Sequence, residues 1–311
     1  MRYRIQDWLM TGLCTGLSLA LIPNAVARDR LPLARPSTAP LVAQGYISLI
    51  ANTLYQHYSL GYPAPVMTTS FNARQISQIH IEFVRRLIAD LGPVVGYKAA
   101  LTSEAAQAQF GVIQPLYGFL LEDMLLEDGT ELSVDFASLP VAEGDLIVRV
   151  GSTDINTAET DTELLASLDA VIPFIELPDR VYQEGSQPRA GDLVAINVGA
   201  RAGVMGEAIP LDEDTDWQSQ LGQIRVTMKN TDGQTIGIGD SSALLGHPLN
   251  VVRWLRDELR SQGLELRPGD LLSLGTITSP IPVEAEMTLT VEYFGLTDDP
   301  VEVSVSFEAD S

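Results

Sequence analysis

Beyond residue 130 the chain is written in short, β-branched apolar segments separated by turn residues, and this pattern restricts the fold more than any other feature. Leu146 to Val150, Val171 to Ile175, Leu193 to Val198, Ile224 to Met228, Leu271 to Leu274, Met287 to Tyr293 and Val301 to Phe307 are rich in Val, Ile and Leu and too short for independent helices. Asp232-Gly233 predicts a hairpin between Ile224–Met228 and Thr235–Ile238. One helix is expected from Leu249 to about Gln262, with Val252, Leu255 and Leu259 on one face, and Pro268-Gly269-Asp270 turns the chain into the next strand. Upstream the period changes. Tyr46 to Tyr58 suits a short amphipathic helix, and Ile76, Ile79, Phe83, Val84, Leu87 and Ile88 recur at three- and four-residue steps until Gly92-Pro93 stops them. Val94 to Lys98 then reads as a strand. Helices first and strands later predict an α+β fold: a helical α/β part over 45–130 and a β-rich part over 131–311.

Charge excludes several functions. With 41 acidic against 19 basic side chains the net charge is −22, a surface that repels phosphate backbones and anionic membranes. No nucleic-acid or membrane partner is expected of the mature chain. At 45% hydrophobic residues it can bury a full core. The N-terminus reads as an export signal: Arg2 and Arg4, an apolar run from Trp8 to Ile22, and the small-x-small pattern Ala25-Val26-Ala27. Residues 1–27 would be cleaved and 28–44, with Pro32, Pro36 and Pro40, would form a linker. The expected destination is the periplasm or the medium. Cys14, the single cysteine, lies within the signal, so the mature chain would have no disulfide and no thiolate chemistry.

Little remains for catalysis among the three histidines. His57 and His80 fall in expected helices without a partner at metal-binding spacing and read as surface or half-buried side chains. His247, just before a helix, reads as a cap or turn residue rather than a base. No Gly-x-Ser-x-Gly elbow, His-Glu-x-x-His, P-loop or dinucleotide fingerprint is present. Carboxylates offer more. Glu143-Gly144-Asp145 puts two acids at i and i+2, on the same face of a strand. Glu176 closes the apolar run Val171 to Ile175, where an isolated buried charge would be costly. Three converging oxygens suit Mg²⁺ or Mn²⁺; by spacing alone the same acids also suit a solvated strand edge.

Ordered segments decide between these. Gly96 to Ser103 (GYKAALTS), Phe110 to Gly118 (FGVIQPLYG), Val141 to Asp145 (VAEGD), Gly246 to Asn250 with Trp254-Leu255, and Pro268 to Thr278 resemble the 2-hydroxypenta-2,4-dienoate hydratase and 4-oxalocrotonate decarboxylase branch of the fumarylacetoacetate hydrolase superfamily, from about residue 45 to the C-terminus. The resemblance implies a mixed β-roll core with flanking helices and a homo-oligomer. It implies a divalent metal, Mg²⁺ or Mn²⁺, held by Glu143, Asp145 and Glu176, with Asp145 in place of a second Glu. It implies a small 2-oxo acid or 2-hydroxydienoate as substrate, hydrated or decarboxylated through a metal-chelated enolate. Lys98 aligns with the branch's lysine and would meet the substrate carboxylate or assist proton transfer, and Asn197, Thr276 and Thr278 would line the substrate side.

Departures point to a second reading. Ile113 and Leu116 stand where the branch carries acids, and Gly199 stands where it carries a serine two residues after Asn197. Glu122 and Asp123 could substitute for the lost acids or be surface residues. The first expectation is therefore an exported metal-dependent lyase. Its alternative is a catalytically degenerate member that binds a small carboxylate or serves an envelope assembly.

Overall fold

The computed structural model describes residues 30–32 and 41–309; the signal-type segment 1–27 with Cys14, and most of the Pro-rich stretch 28–44, lie outside the described residues. Helix α1 (Leu41–Leu60) begins earlier than the apolar spacing alone suggests, and it buries Ile47, Ala51, Leu54 and Tyr58 at helical steps. A capping box starts α2 (Ala73–Leu91): Gln75 N donates to the Asn72 side chain and Asn72 N donates to Gln75 Oε1, each at 3.0 Å. The chain continues through β1 (Val94–Ala100), α3 (Glu104–Phe110), β2 (Leu116–Leu121), β3 (Leu125–Glu127) and β4 (Thr130–Ser133). Next come β5 (Val141–Val150), α4 (Asp161–Ala166), β6 (Leu168–Leu177), α5 (Ala190–Ala195), β7 (Ala202–Met205) and β8 (Ile209–Pro210). The C-terminal third adds α6 (Trp217–Leu221), β9 (Arg225–Lys229), β10 (Thr235–Asp240), α7 (Pro248–Ser261), β11 (Leu271–Ser273), β12 (Ile281–Pro282), β13 (Met287–Phe294) and β14 (Val301–Glu308).

The strands form two mixed sheets. One runs β2-β1-β11-β5-β6-β7-β3, with β12 added to β5 and β8 to β6; the other runs β10-β9-β13-β14-β4. Strands from both sides of residue 130 thus share one sheet, and the expected α+β architecture with a mixed β core is the one observed. Burial explains the sequence patterns. Strand β6 is buried along its length except at Asp169, so it reads as a continuous apolar run, whereas β13 and β14 alternate because one face is less covered. Tyr293 of β13 joins the sheets: its hydroxyl donates to Phe174 O at 2.6 Å and accepts from Phe174 N at 3.2 Å.

One expected strand is absent. Leu193 to Val198 contributes to α5 and to a 3₁₀ turn, Asn197–Gly199. Asp192 holds the helix start by accepting from Arg189 N at 2.8 Å and from Met67 N at 3.1 Å, and the left-handed residues after Ile196 prevent any extended ladder. A short apolar run does not by itself distinguish strand from buried helix. Among the described residues no helix is long and apolar enough to cross a membrane.

Candidate metal and acid–base site

Antiparallel pairing of β5 with β6 sets Glu143 directly opposite Glu176 and Asp145 opposite Phe174. Alternation then puts Glu143, Asp145 and Glu176 on one face of the two central strands. Strand β11, paired on the other side of β5, supplies Ser273, and parallel β1 supplies Lys98 opposite Ser273. Ser273 Oγ donates to Asp145 Oδ2 at 2.5 Å, and Leu146 N donates to Asp145 Oδ1 at 2.6 Å. The Lys98 ammonium is ion-paired with Glu176 and also donates to Val198 O at 3.3 Å. Asp145 is 0% exposed, Glu176 4% and Lys98 2%, while Glu143 is half-buried.

Three carboxylates therefore face one ammonium. Burial, and then repulsion from Glu176, pushes the Glu143 carboxyl up to about 8, against the opposing pull of Lys98 and the nearby Thr276 hydroxyl. The same two causes raise Asp145 well above the usual carboxylate range, opposed by its bonds to Ser273 and Leu146. Buried anions in excess of their cations hold protons or recruit a cation. In donor type and charge the set fits a hard divalent ion. Among the described residues no three His, Cys, Asp or Glu side chains are already drawn together as a ligand cluster. The ion pair with Lys98 occupies one carboxylate oxygen of Glu176.

The remaining expected site residues divide. Thr276 stands beside Glu143 and donates to Thr278 O at 2.7 Å. Thr278 Oγ1 accepts from Gly144 N at 3.0 Å and contacts the Met228 sulfur at 2.9 Å, bonds that brace β5 from behind the acids. The Asn197 amide is bound by the backbone of Phe119, whose N–H donates to Oδ1 at 2.7 Å and whose carbonyl accepts from Nδ2 at 2.8 Å. A cavity of about 260 Å³ lined by Arg30, Tyr97, Arg260, Glu265, Arg267 and Asp270 includes none of Glu143, Asp145 and Glu176.

Comparison with known proteins gives this arrangement a lineage. No protein-family model matches the chain. It is 30% identical over 243 residues to a 2-oxo-hept-4-ene-1,7-dioate hydratase of Escherichia coli, covering 76% of this chain and 86% of that protein. It is 33% identical over 205 residues to a 2-keto-4-pentenoate hydratase of Burkholderia vietnamiensis, 65% of this chain and 75% of that protein. The chain belongs to the 2-keto-4-pentenoate hydratase and 4-oxalocrotonate decarboxylase family. Its fold matches that of a 4-oxalocrotonate decarboxylase from Pseudomonas putida G7 with a TM-score of 0.73 at 27% identity, over 85% of this chain and 98% of that one. That enzyme has been crystallised with calcium and acetate and with magnesium and adipate.

The positions that the sequence reading sets apart from this hydratase and decarboxylase family lie as follows. Ile113 is 96% exposed in the loop between α3 and β2, and Leu116 is half-buried where β2 begins. Gly199 sits at φ 75°, where a Cβ would lie 2.8 Å from Asp179 O. Both conformation and space favour glycine there. Glu122 and Asp123 are exposed on a 3₁₀ turn. His247 is the N-cap of α7, accepting from Leu249 N at 3.1 Å.

His80 differs from the expectation of a surface or half-buried residue. It is 2% exposed, and Nε2 lies 2.9 Å from Asn197 Oδ1. Burial pushes its imidazole down to about 4. The signal available in the sequence was its neighbourhood: Ile79 and Phe83 mark the apolar stripe of α2, and His80 borders it.

Proposed function

We propose that this chain is a divalent-metal-dependent lyase, a hydratase or decarboxylase, acting on a small 2-oxo acid or 2-hydroxydienoate. The observation that carries this reading is the in-register pair Glu143–Glu176 with Asp145 on the same face and Lys98 against it. Glu143, Asp145 and Glu176 would hold Mg²⁺ or Mn²⁺. When bound, such an ion supplies Lewis-acid polarisation of a 2-oxo oxygen. Lys98 meets the substrate carboxylate with its ammonium, and Thr276, beside Glu143, would turn its hydroxyl from Thr278 O to the substrate. Adipate and acetate in the relative's crystals support a small carboxylate as ligand class.

Calorimetric titration of Mg²⁺ and Mn²⁺ into the chelator-stripped protein, with and without oxalate as an enolate mimic, tests it. Metal binding that tightens with oxalate is the expected result, and absence of metal binding in both conditions refutes it. Export belongs to the same proposal: N-terminal sequencing of secreted or periplasmic material should begin at Arg28, and an intact N-terminus in the cytoplasm would refute it.

A second reading has its own observation. Exposed Ile113 and Gly199, at a position that suits only glycine, replace side chains that would act on water or a proton, so the site would bind a carboxylate without turnover. It predicts ligand-dependent thermal stabilisation with no consumption of any 2-oxo acid in a panel. Chelator-sensitive consumption of one of them eliminates it.

A further inference from the structure

Asn197, Val198 and Gly199 are three successive residues in the left-handed region, at φ 57°, 46° and 75°. A β-branched residue rarely adopts this conformation, and it persists only where the surroundings over-determine it. The surroundings here are identifiable. Strand β2 grips the Asn197 amide at both ends through Phe119, which fixes which atom is oxygen and which is nitrogen. The atom facing His80 is therefore Oδ1, an acceptor, so His80 Nε2 carries the hydrogen and donates at 2.9 Å. The imidazole is itself packed against Phe119 and Tyr117, with ring centroids 5.3 and 6.0 Å away. Gly118 lets the turn lie close on β2, since a Cβ there would be 2.7 Å from Val198 Cγ2 and 2.8 Å from Asn197 O.

What this turn presents is the Val198 carbonyl, which accepts from Lys98 Nζ. An ammonium has three N–H donors. Glu176 takes one and Val198 O another, which leaves the third for an incoming carboxylate. We infer that His80 is a positioning residue: through Asn197 it holds the 197–199 turn in the conformation that aims the Val198 carbonyl at Lys98. The inference rests on the reading of Lys98 as the substrate-facing cation, and it adds a buried helix residue that touches neither substrate nor metal ligands.

A double-mutant cycle in the full-length mature protein separates this role from plain structural support, with oxalate in saturating Mg²⁺ as the probe. Lys98→Met should weaken oxalate binding about tenfold, the change expected on losing a charge-assisted contact. His80→Phe keeps the ring contacts and removes the donor; it should weaken oxalate about fivefold or more while Mg²⁺ affinity without oxalate stays unchanged. His80→Gln, which returns an N–H near Nε2, should restore binding. In the Lys98→Met background His80→Phe should cost nothing further. An equal loss in both backgrounds would overturn the inference.

Should the wild-type protein fail to bind oxalate, the functional reading falls and the positioning role is still decided by hydrogen exchange. His80→Phe should then accelerate exchange at the Phe119 and Ala200 amides, whose acceptors are Asn197 Oδ1 and Asn197 O, while β5–β6 amides keep their protection. Unchanged protection at those two amides would overturn it.

Discussion

Glu143 and Glu176 are Cα partners across the β5–β6 ladder, two acids at one rung of the central sheet. Like charges directly opposite each other destabilise a sheet, so their pairing costs the fold something that an isosteric Gln would not. A site of this kind is stabilised by protons at low pH and by a cation at higher pH.

That gives the first prediction. Burial, and then the facing Glu176, push the Glu143 carboxyl of the metal-free chain up from an ordinary 4.5 to about 8. A folded value above the unfolded one means that stability is fully present below pH 4.5 and is lost as pH rises through 8. The chelator-stripped protein should lose a few kcal/mol over this window, roughly 1.4 kcal/mol for each pH unit separating the two values, less what relaxation recovers. Excess Mg²⁺ should raise Tm more at pH 8 than at pH 5, and Glu143→Gln should flatten the metal-free profile. Thermal melts across this range, with chelator and with Mg²⁺, check both statements.

Ser273 donates to Asp145 from a neighbouring strand, which fixes the direction in which the carboxylate presents its free lone pairs. Partners of this sort typically contribute about 10–100-fold to metal affinity. Ser273→Ala should therefore weaken Mg²⁺ binding by about tenfold while far-UV circular dichroism stays the same. Calorimetry on the variant measures it.

Gly199, which the sequence resemblance sets against a serine, has φ 75° with Asp179 O in the way of a side chain. Gly199→Ser should not restore a family-like site. It should destabilise the chain by about 1–3 kcal/mol, the cost of a strained left-handed residue with a close contact. Urea denaturation gives the value, and a stability equal to the wild type's would show that the turn can shift.

His80 contributes a pH dependence of the opposite sign. Its folded value is about 4, below the unfolded 6.5, so the unfolded chain binds a proton that the folded chain refuses. The corresponding stability is present above pH 6.5 and lost as pH falls toward 4, to a total of about 3 kcal/mol. The stability difference between wild type and His80→Gln should shift against the wild type over that window. Urea titrations of both proteins at pH 7 and pH 4.5 read it directly.

Much of this was legible residue by residue. The stripe of α2, the Asp232-Gly233 hairpin between β9 and β10, and the β-rich segments that became β13 and β14 are local patterns, and local patterns follow from side-chain period and turn chemistry. Asp145 sharing a face with Glu143 follows from the same period. The segment Leu193 to Val198 misled because its apolar content suits strand and buried helix equally, and Asp192 and the left-handed turn chose the helix. His80 was obscured by its polar type; its burial depends on Asn197 and Phe119, which arrive from distant parts of the chain.

By itself, then, the sequence determined the longest helices and the main core strands, their order, the family and the excess of acid over base. Tertiary structure alone decided that Glu176 stands across from Glu143, that Lys98 from β1 meets Glu176, and that a helical histidine braces the turn beneath that lysine. The physical reason is one of range. Element type is set by interactions within a few residues, whereas strand register and ion-pair choice are set by groups far apart in sequence, whose energies exist only once the sheet has closed around them.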